Sequence, residues 1–302
     1  MRIEILIESR KVTARVADPD NLRGSGSATV PTSVPAALHE RCTSVPRAAL
    51  RGRDGARHLR AMIELRLLGT IDLRSGDHPE AASLLSRPSP TALLAYLASA
   101  PRSSFLRRDS LLTLFWPETS QAQARANLRK LVHTIRASLG PECIEARGDE
   151  ELRIAASALW CDAAEFQSAM RGDQIERAME LYAGPLMPGF YLDGGGQFSR
   201  WLDDTRGQLA RDAAKAALKL AEQHLRAAQR TQASDLAQFI GRIGADLDDE
   251  YLFRKLLDLL VRLGDHATAL RMFEQFSARI DDEYGGVPAP QTRELIASIR
   301  SR

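Results

Sequence analysis

The chain has 302 residues, the length of about two ordinary domains, and its apolar fraction of 44% is sufficient for a core in each. Its net charge is +2, so a surface for nucleic acid would have to be a local cluster. No apolar run approaches the ~18 residues of a membrane helix, and no apolar signal-peptide segment follows Met1. The three cysteines lack CxxC spacing, which favours reduced thiols in a cytoplasmic protein.

Residues 1–61 differ in composition from the rest of the chain. Gly, Ser, Pro and Thr are frequent in residues 18–46, a basic run covers residues 51–60, and only Ile3–Ile7 has the pattern of a strand. Such a segment has too few periodic apolar residues to offset the entropy lost on ordering. We therefore predict that residues 1–61 are disordered, or are an extension outside the native protein.

Residues 62–160 have the element order of a winged helix. Alternating apolar residues predict two strands, three helices follow, and a β-hairpin closes the segment. Pro117 ends the second helix and Gly140-Pro141 ends the third. The predicted strands are Ile63–Leu67, Ile71–Arg74, Cys143–Ala146 and Glu151–Ile154, and the helices are at about 89–99, 108–116 and 121–139.

Residues 161–302 are predicted to be almost wholly helical and carry 18 basic against 22 acidic residues. Gly264-Asp265, followed by Ala269 and Phe273, matches the turn and second helix of a tetratricopeptide unit. The inner face of that unit's first helix has an equivalent about 34 or 35 residues earlier, and the turn is repeated at Arg171–Asp173. The inner-face residues are Phe253, Leu256, Leu257 and Leu260, and their equivalents are Leu218, Ala221, Leu225 and Ala228. The predicted fold is therefore mostly α with a small β component, a winged helix followed by tetratricopeptide-like helices.

The third helix of the winged-helix segment is the candidate DNA-reading element. Residues 119–140 hold four Lys or Arg and no Asp or Glu, whereas the surrounding segment is nearly balanced. A basic helix before a hairpin is expected to lie in a major groove, although a solvated basic face remains the alternative. The hairpin tip contributes an arginine for a minor groove, or is an ordinary turn. The candidate DNA-binding residues are Arg125, Arg129, Lys130, His133, Arg136 and Arg147.

Catalytic and cofactor motifs are not found in the sequence. No Gly-rich loop precedes Gly-Lys-Ser/Thr, and the six histidines show neither HExxH nor a cysteine at metal-ligand spacing. Gly194–Gly196 does not follow a predicted strand, which argues against dinucleotide binding. The chain is therefore expected not to be an enzyme and to need no cofactor or metal.

Several segments resemble the bacterial transcriptional activation domain family, the SARP-type regulators. Met62–Gly69 resembles the opening strand of that family and Ala124–Gly140 its recognition helix. Leu159–Phe166 resembles the family's junction where the helical domain begins. Tyr182–Phe190 and Phe198–Leu202 resemble its first long loop and helix, and Asp282–Arg293 resembles its closing segment. The resemblance covers residues 62–302 in the family's order, with the predicted domain boundary between residues 160 and 161.

The resemblance implies an OmpR-like winged helix that binds double-stranded DNA at repeated promoter sites and recruits RNA polymerase. Pairing of two chains through the helical repeats is a further expectation. The alternative from another functional class is a tetratricopeptide scaffold whose winged helix contacts proteins only. Salt-dependent DNA binding separates the two, because a scaffold would show no steep dependence on salt.

Overall fold

The computed structural model describes residues 62–243 and 249–301, and in the first 61 residues only the backbone of four two-residue strands. These strands form two antiparallel pairs in which Ile3 is opposite Val16 and Ile7 opposite Val12. They are β1 (Ile3–Glu4), β2 (Ile7–Glu8), β3 (Lys11–Val12) and β4 (Arg15–Val16). The prediction for the remainder of residues 1–61 lies outside the described residues. The chain divides into two compact units, residues 1–33 and 34–302.

A three-stranded sheet opens the described part of the second unit. Strand β5 (Ile63–Arg66) lies in the middle, antiparallel to β6 (Asp72–Arg74) and parallel to β10 (Leu159–Cys161). The first two strands confirm the predicted alternation. β10 was not predicted, because its three residues pair with a strand almost a hundred residues away and have no local signal of their own. The predicted boundary between residues 160 and 161 lies inside this strand.

The winged helix is built between β6 and β10. A 3-10 helix (Pro79–Ser86) that the sequence did not predict precedes the first of three α-helices. The second sheet has the strand order β7-β9-β8, with both pairs antiparallel, so the hairpin packs against a strand that precedes the second helix. The elements are α1 (Pro88–Ser99), β7 (Leu106–Arg107), α2 (Arg108–Phe115), α3 (Gln121–Leu139), β8 (Ile144–Arg147) and β9 (Glu151–Ile154).

The remaining elements are helices that follow one another in pairs. Ala228 adopts a φ of 60° and lies in the short turn between the long helix α6 (Gly196–Arg226) and α7 (Arg230–Ile243). Gly264 has the left-handed conformation that ends α8, and Asp265 caps α9, as the predicted turn requires. The helices are α4 (Asp162–Arg171), α5 (Ile175–Leu181), α6 (Gly196–Arg226), α7 (Arg230–Ile243), α8 (Glu250–Leu263), α9 (His266–Tyr284) and α10 (Pro290–Arg300).

Asp162, the first residue of α4, joins the first sheet to the helical module. Its buried carboxylate accepts hydrogen bonds from the backbone N–H groups of Leu67 and Leu68, at 2.8 and 3.0 Å, and from that of Ala163 at 2.7 Å. Burial raises the pKa of Asp162 to about 6, although the three N–H donors act in the opposite direction. The buried carboxylate therefore accepts hydrogen bonds both from the backbone that follows β5 and from the first turn of α4.

A second joint is formed by backbone alone. The N–H of Gly69 donates to the carbonyl of Pro185 at 2.9 Å, and the N–H of Met187 donates to that of Leu67 at 2.7 Å. The loop between α5 and α6 therefore pairs, antiparallel, with the backbone that directly follows β5. A side chain at Gly69 would lie 2.7 Å from the carbonyl oxygen of Ala183, so this contact requires glycine.

Aromatic side chains continue the core from the winged helix into the helical module. Phe115 of α2 stacks on Phe198 of α6 with ring centroids 5.3 Å apart, and Tyr96 of α1 meets Trp201 edge-on at 4.7 Å. Buried residues of both modules belong to one hydrophobic cluster. Within the described residues, no helix combines the length and apolar character needed to span a bilayer.

Candidate nucleic-acid interface

Helix α3 divides into a buried face and an exposed basic face. Its buried residues recur at helical spacing and pack into the winged-helix core, whereas the cationic residues of its first three turns are exposed. The buried residues are Ala124, Leu128, Val132, Ile135 and Leu139. This division agrees with the predicted helical period and leaves Arg125, Arg129, Lys130 and His133 open to solvent.

Two of the exposed arginines are held along α3 by local contacts. The guanidinium of Arg125 lies 3.5 Å from a carboxylate oxygen of Asp109 in α2, and Arg129 Nε donates to the carbonyl of Arg125 at 3.3 Å. The Arg125–Asp109 pair is more than half exposed on both sides, so it contributes little to stability and can open for a ligand. No hydrogen bond or ion pair is found in the described part of the chain for the side chains of Lys130 and His133.

Arg136 differs from the other basic residues of α3. It is half-buried, and its Nη2 donates to the carbonyl of Ile144 in β8 at 2.8 Å, while its Nε is buried without a partner in the described structure. This hydrogen bond fastens the last turns of the helix to the base of the hairpin. The side chain predicted to contact DNA therefore also positions the hairpin relative to α3.

Arg147 lies at the end of β8, beside the hairpin turn. Its guanidinium forms an ion pair with Glu151 and lies 4.4 Å from the ring centroid of Phe105. Arg153, which is bound to Glu145 at 2.8 Å, lies 4.2 Å from the same ring. Each arginine of the hairpin thus has both a carboxylate partner and a contact with Phe105. These contacts fix Arg147 in place and partly neutralise it.

Arg108, which was not among the predicted site residues, lies at the start of α2 and faces the same region. Its backbone N–H donates to the carbonyl of Glu150 in the hairpin at 2.8 Å, and its Nε is buried without a partner in the described structure. The pKa of Arg108 is lowered, first by burial and then by the nearby cations Arg136 and Arg129, while Asp149 opposes the shift. The sequence signal for it is the Arg107-Arg108 pair, in which Arg108 is the first residue of α2.

Arg108, Arg129 and Arg136 therefore concentrate positive charge where α2, α3 and the hairpin meet. Asp149 is the acidic group that influences Arg108 there. An anion with several oxygen acceptors, such as a phosphate, suits this cluster, because a guanidinium presents several N–H donors in a plane.

The described residues offer no comparable site for a metal or a reactive thiol. Among them, no group of three or more His, Cys, Asp or Glu side chains could hold a metal ion. Cys143 and Cys161 are free and buried, and burial raises the pKa of each to about 12, which keeps the reactive thiolate from forming at neutral pH. Cys42 lies outside the described residues.

Comparison with known proteins identifies the helical module and the fold. Residues 151–300 match the model of the family described as Bacterial transcriptional activator domain. Among solved structures, Mycobacterium tuberculosis EmbR in complex with a low-affinity phosphopeptide is similar, with a TM-score of 0.56 and 19% sequence identity. The match covers 80% of this chain and 66% of the EmbR chain, and at this identity it concerns the fold. No curated protein matches this sequence.

Proposed function

We propose that this chain, which belongs to the bacterial transcriptional activator domain family, is a sequence-specific DNA-binding activator whose helix α3 reads the major groove. The observation that carries the proposal is the row of exposed cationic residues on a helix that contains no acidic residue and whose opposite face is buried. Such a helix, adjacent to a hairpin, presents donors to phosphates and base edges without like-charge repulsion from its own side chains.

The surroundings of each residue suggest its role on DNA. Arg125, Arg129, Lys130 and His133 are exposed and would face the groove, where arginine or lysine can donate to guanine. Arg108 is suited to a phosphate, since it lies among like charges and has an unpartnered Nε. Arg136 would act mainly by holding the hairpin, because its Nη2 is already engaged with Ile144. Arg147 would reach DNA only after exchanging its contact with Glu151.

The helical module is proposed to supply the activating contact, to RNA polymerase. Its charge supports a division of labour, because 22 acidic against 18 basic residues is a poor balance for touching phosphates. Binding at repeated promoter sites would place two chains side by side, and pairing through the helices would raise the apparent affinity by effective concentration.

The test of DNA reading is binding to promoter fragments selected from the genome of origin, measured over a range of salt concentrations. Removing a base-reading residue, as in Arg129→Ala or Lys130→Ala, should cost about 1–3 kcal/mol and relax sequence preference at one position. Arg108→Ala should weaken binding to all sequences alike and reduce the salt slope by about one.

The matched control is Arg242→Ala, which removes an exposed arginine from α7 of the helical module and should leave binding unchanged. If wild-type binding shows no steep salt dependence, or if Arg129→Ala and Lys130→Ala bind as wild type does, the scaffold alternative replaces DNA reading. For activation, the measurement is transcription by purified RNA polymerase on a selected fragment, and a lack of stimulation would contradict recruitment.

A further inference from the structure

An open groove of about 830 Å³ lies between the winged helix and the helical module. One wall is formed by the end of α1, and the other by the middle of α6. The groove is lined, among others, by Tyr96 and Ser99 of α1 and by Trp201, Asp204, Gly207 and Asp212 of α6. The volume is in the range of small-molecule sites in proteins, which are typically ~300–1,000 Å³.

The aromatic wall of the groove suits an apolar or aromatic body. Tyr96 and Trp201 are both half-buried, and their rings meet edge-on at 4.7 Å and 67°. Leu106 and Leu209 add aliphatic surface to the same groove. Flat aromatic faces that are partly open to solvent attract rings and cations more strongly than aliphatic side chains do.

The polar side of the groove carries an excess of negative charge. Asp203 is paired with Arg206 at 3.0 Å, and Asp212 accepts a hydrogen bond from Gln208 at 3.0 Å and lies 3.9 Å from the ammonium of Lys215. For Asp204, the described structure contains neither a hydrogen bond nor an ion pair. Arg211 is the cation that lines the groove. A carboxylate without a partner beside two aromatic rings is complementary to an organic cation.

A buried hydroxyl and a helical glycine support the assignment of a ligand site. Ser99 is only 6% exposed and lines the groove, yet its Oγ has no hydrogen-bond partner in the described structure. Gly207 lies in the interior of α6, where glycine destabilises a helix. A Cβ at Gly207 would meet only the side chain of Arg211 in the same helix, at 3.3 Å. The glycine therefore keeps the groove wide where a side chain would narrow it.

We propose that this groove binds a small organic cation, an ammonium group on an aromatic body, with the ring against Trp201 and Tyr96 and the ammonium near Asp204. The occupant would contact both modules at once. Tyr96 also meets the ring of Phe115 in α2, with centroids 6.2 Å apart, so the site is connected to the helix that precedes α3 by one aromatic contact. Binding is therefore expected to change DNA affinity, a consequence that rests on the proposed function.

The direct test is calorimetric titration of the full chain with tryptamine in the absence of DNA, with tryptophol as the neutral probe of matched shape. Saturable binding of tryptamine, with tryptophol at least about tenfold weaker, is expected because the charge on the ligand is the main difference between the two. Asp204→Asn should weaken tryptamine binding about tenfold and leave tryptophol unchanged. Gly207→Leu should abolish both, and Asp193→Asn, in an exposed loop, should have no effect.

The absence of saturable tryptamine binding to the wild-type chain would overturn the proposal, and so would equal binding to Asp204→Asn. A shift in DNA affinity when tryptamine is present would establish the coupling. Because the titration contains no DNA, a failure of DNA reading would leave its outcome unaffected, and the two proposals can fail separately.

Discussion

At the scale of single residues, Asp162 is the buried carboxylate that connects the two modules. Burial makes the ionised form of Asp162 less favourable in the folded protein than in the unfolded chain, and it raises the pKa from 3.8 to about 6. In the unfolded chain the group loses its proton near pH 4, so between pH 4 and 6 the folded state holds more protons. The contribution of Asp162 to the free energy of unfolding is therefore largest below pH 4 and falls as pH rises through about 6.

The matching prediction concerns Asp162→Asn, which removes the titration. The wild-type chain should lose up to about 3 kcal/mol of stability relative to this variant between pH 4 and 7, since each pKa unit corresponds to about 1.4 kcal/mol. At any pH the variant also places an amide N–H₂ among backbone donors, which costs about 1–3 kcal/mol. Urea unfolding at several pH values measures both terms. A stability difference that grows in favour of the wild type as pH rises would contradict the sign.

At the scale of elements, the two faces of α3 separate the residues that stabilise the fold from the residues proposed to contact DNA. Leu128→Ala should open a cavity in the winged-helix core and cost about 2–5 kcal/mol, because Leu128 is 1% exposed. Lys130→Ala, two residues further along the helix but exposed, should change stability by less than about 0.5 kcal/mol. Chemical denaturation followed by circular dichroism measures both variants. Equal destabilisation by the two changes would show that the helix does not have the faces assigned to it.

The elements that were predicted correctly are those whose own residues show a helical or strand pattern. Helix α3 has a buried residue at each helical repeat and a glycine after its end, and in β5 and β9 buried and half-buried residues alternate with period two. Strands β7 and β10 are two and three residues long and exist through pairing with distant strands. The same reason explains Arg108. Its neighbours Arg129 and Arg136 come together only when α2 and α3 fold against each other, so spacing along the chain does not reveal the cluster.

At the scale of the whole molecule, the winged helix and the helical module share their core. The carboxylate of Asp162 serves the first sheet, Phe198 stacks on Phe115, and the loop after α5 pairs with the strand end at Leu67. A fragment that ends at residue 160 would lack the last residue of β10 and would lose all three contacts. The helical module is thus part of what holds the winged helix in shape, and an effect at the groove between them can reach α2 through packed side chains.

This arrangement predicts that residues 62–301 unfold together and that Gly69 is required for it. Gly69→Ala would place a Cβ 2.7 Å from the Ala183 carbonyl oxygen, in a backbone conformation with a φ of 75° that disfavours alanine. Gly148→Ala, in the hairpin turn, has a similar φ of 57° but nothing within 4 Å, so it should cost only about 1 kcal/mol for the backbone. Gly69→Ala should cost about 1–3 kcal/mol more, because the joint must open to admit the methyl group.

Thermal unfolding followed by circular dichroism and by tryptophan fluorescence distinguishes the outcomes, since Trp116 and Trp160 lie in the winged helix and Trp201 in the helical module. The wild-type chain and Gly148→Ala should show one transition with coincident probes, whereas in Gly69→Ala the two probes should separate as the modules uncouple. Coincident transitions in Gly69→Ala, at the same temperature as in Gly148→Ala, would mean that the aromatic contacts alone hold the modules together and that the backbone joint at Leu67–Gly69 is dispensable.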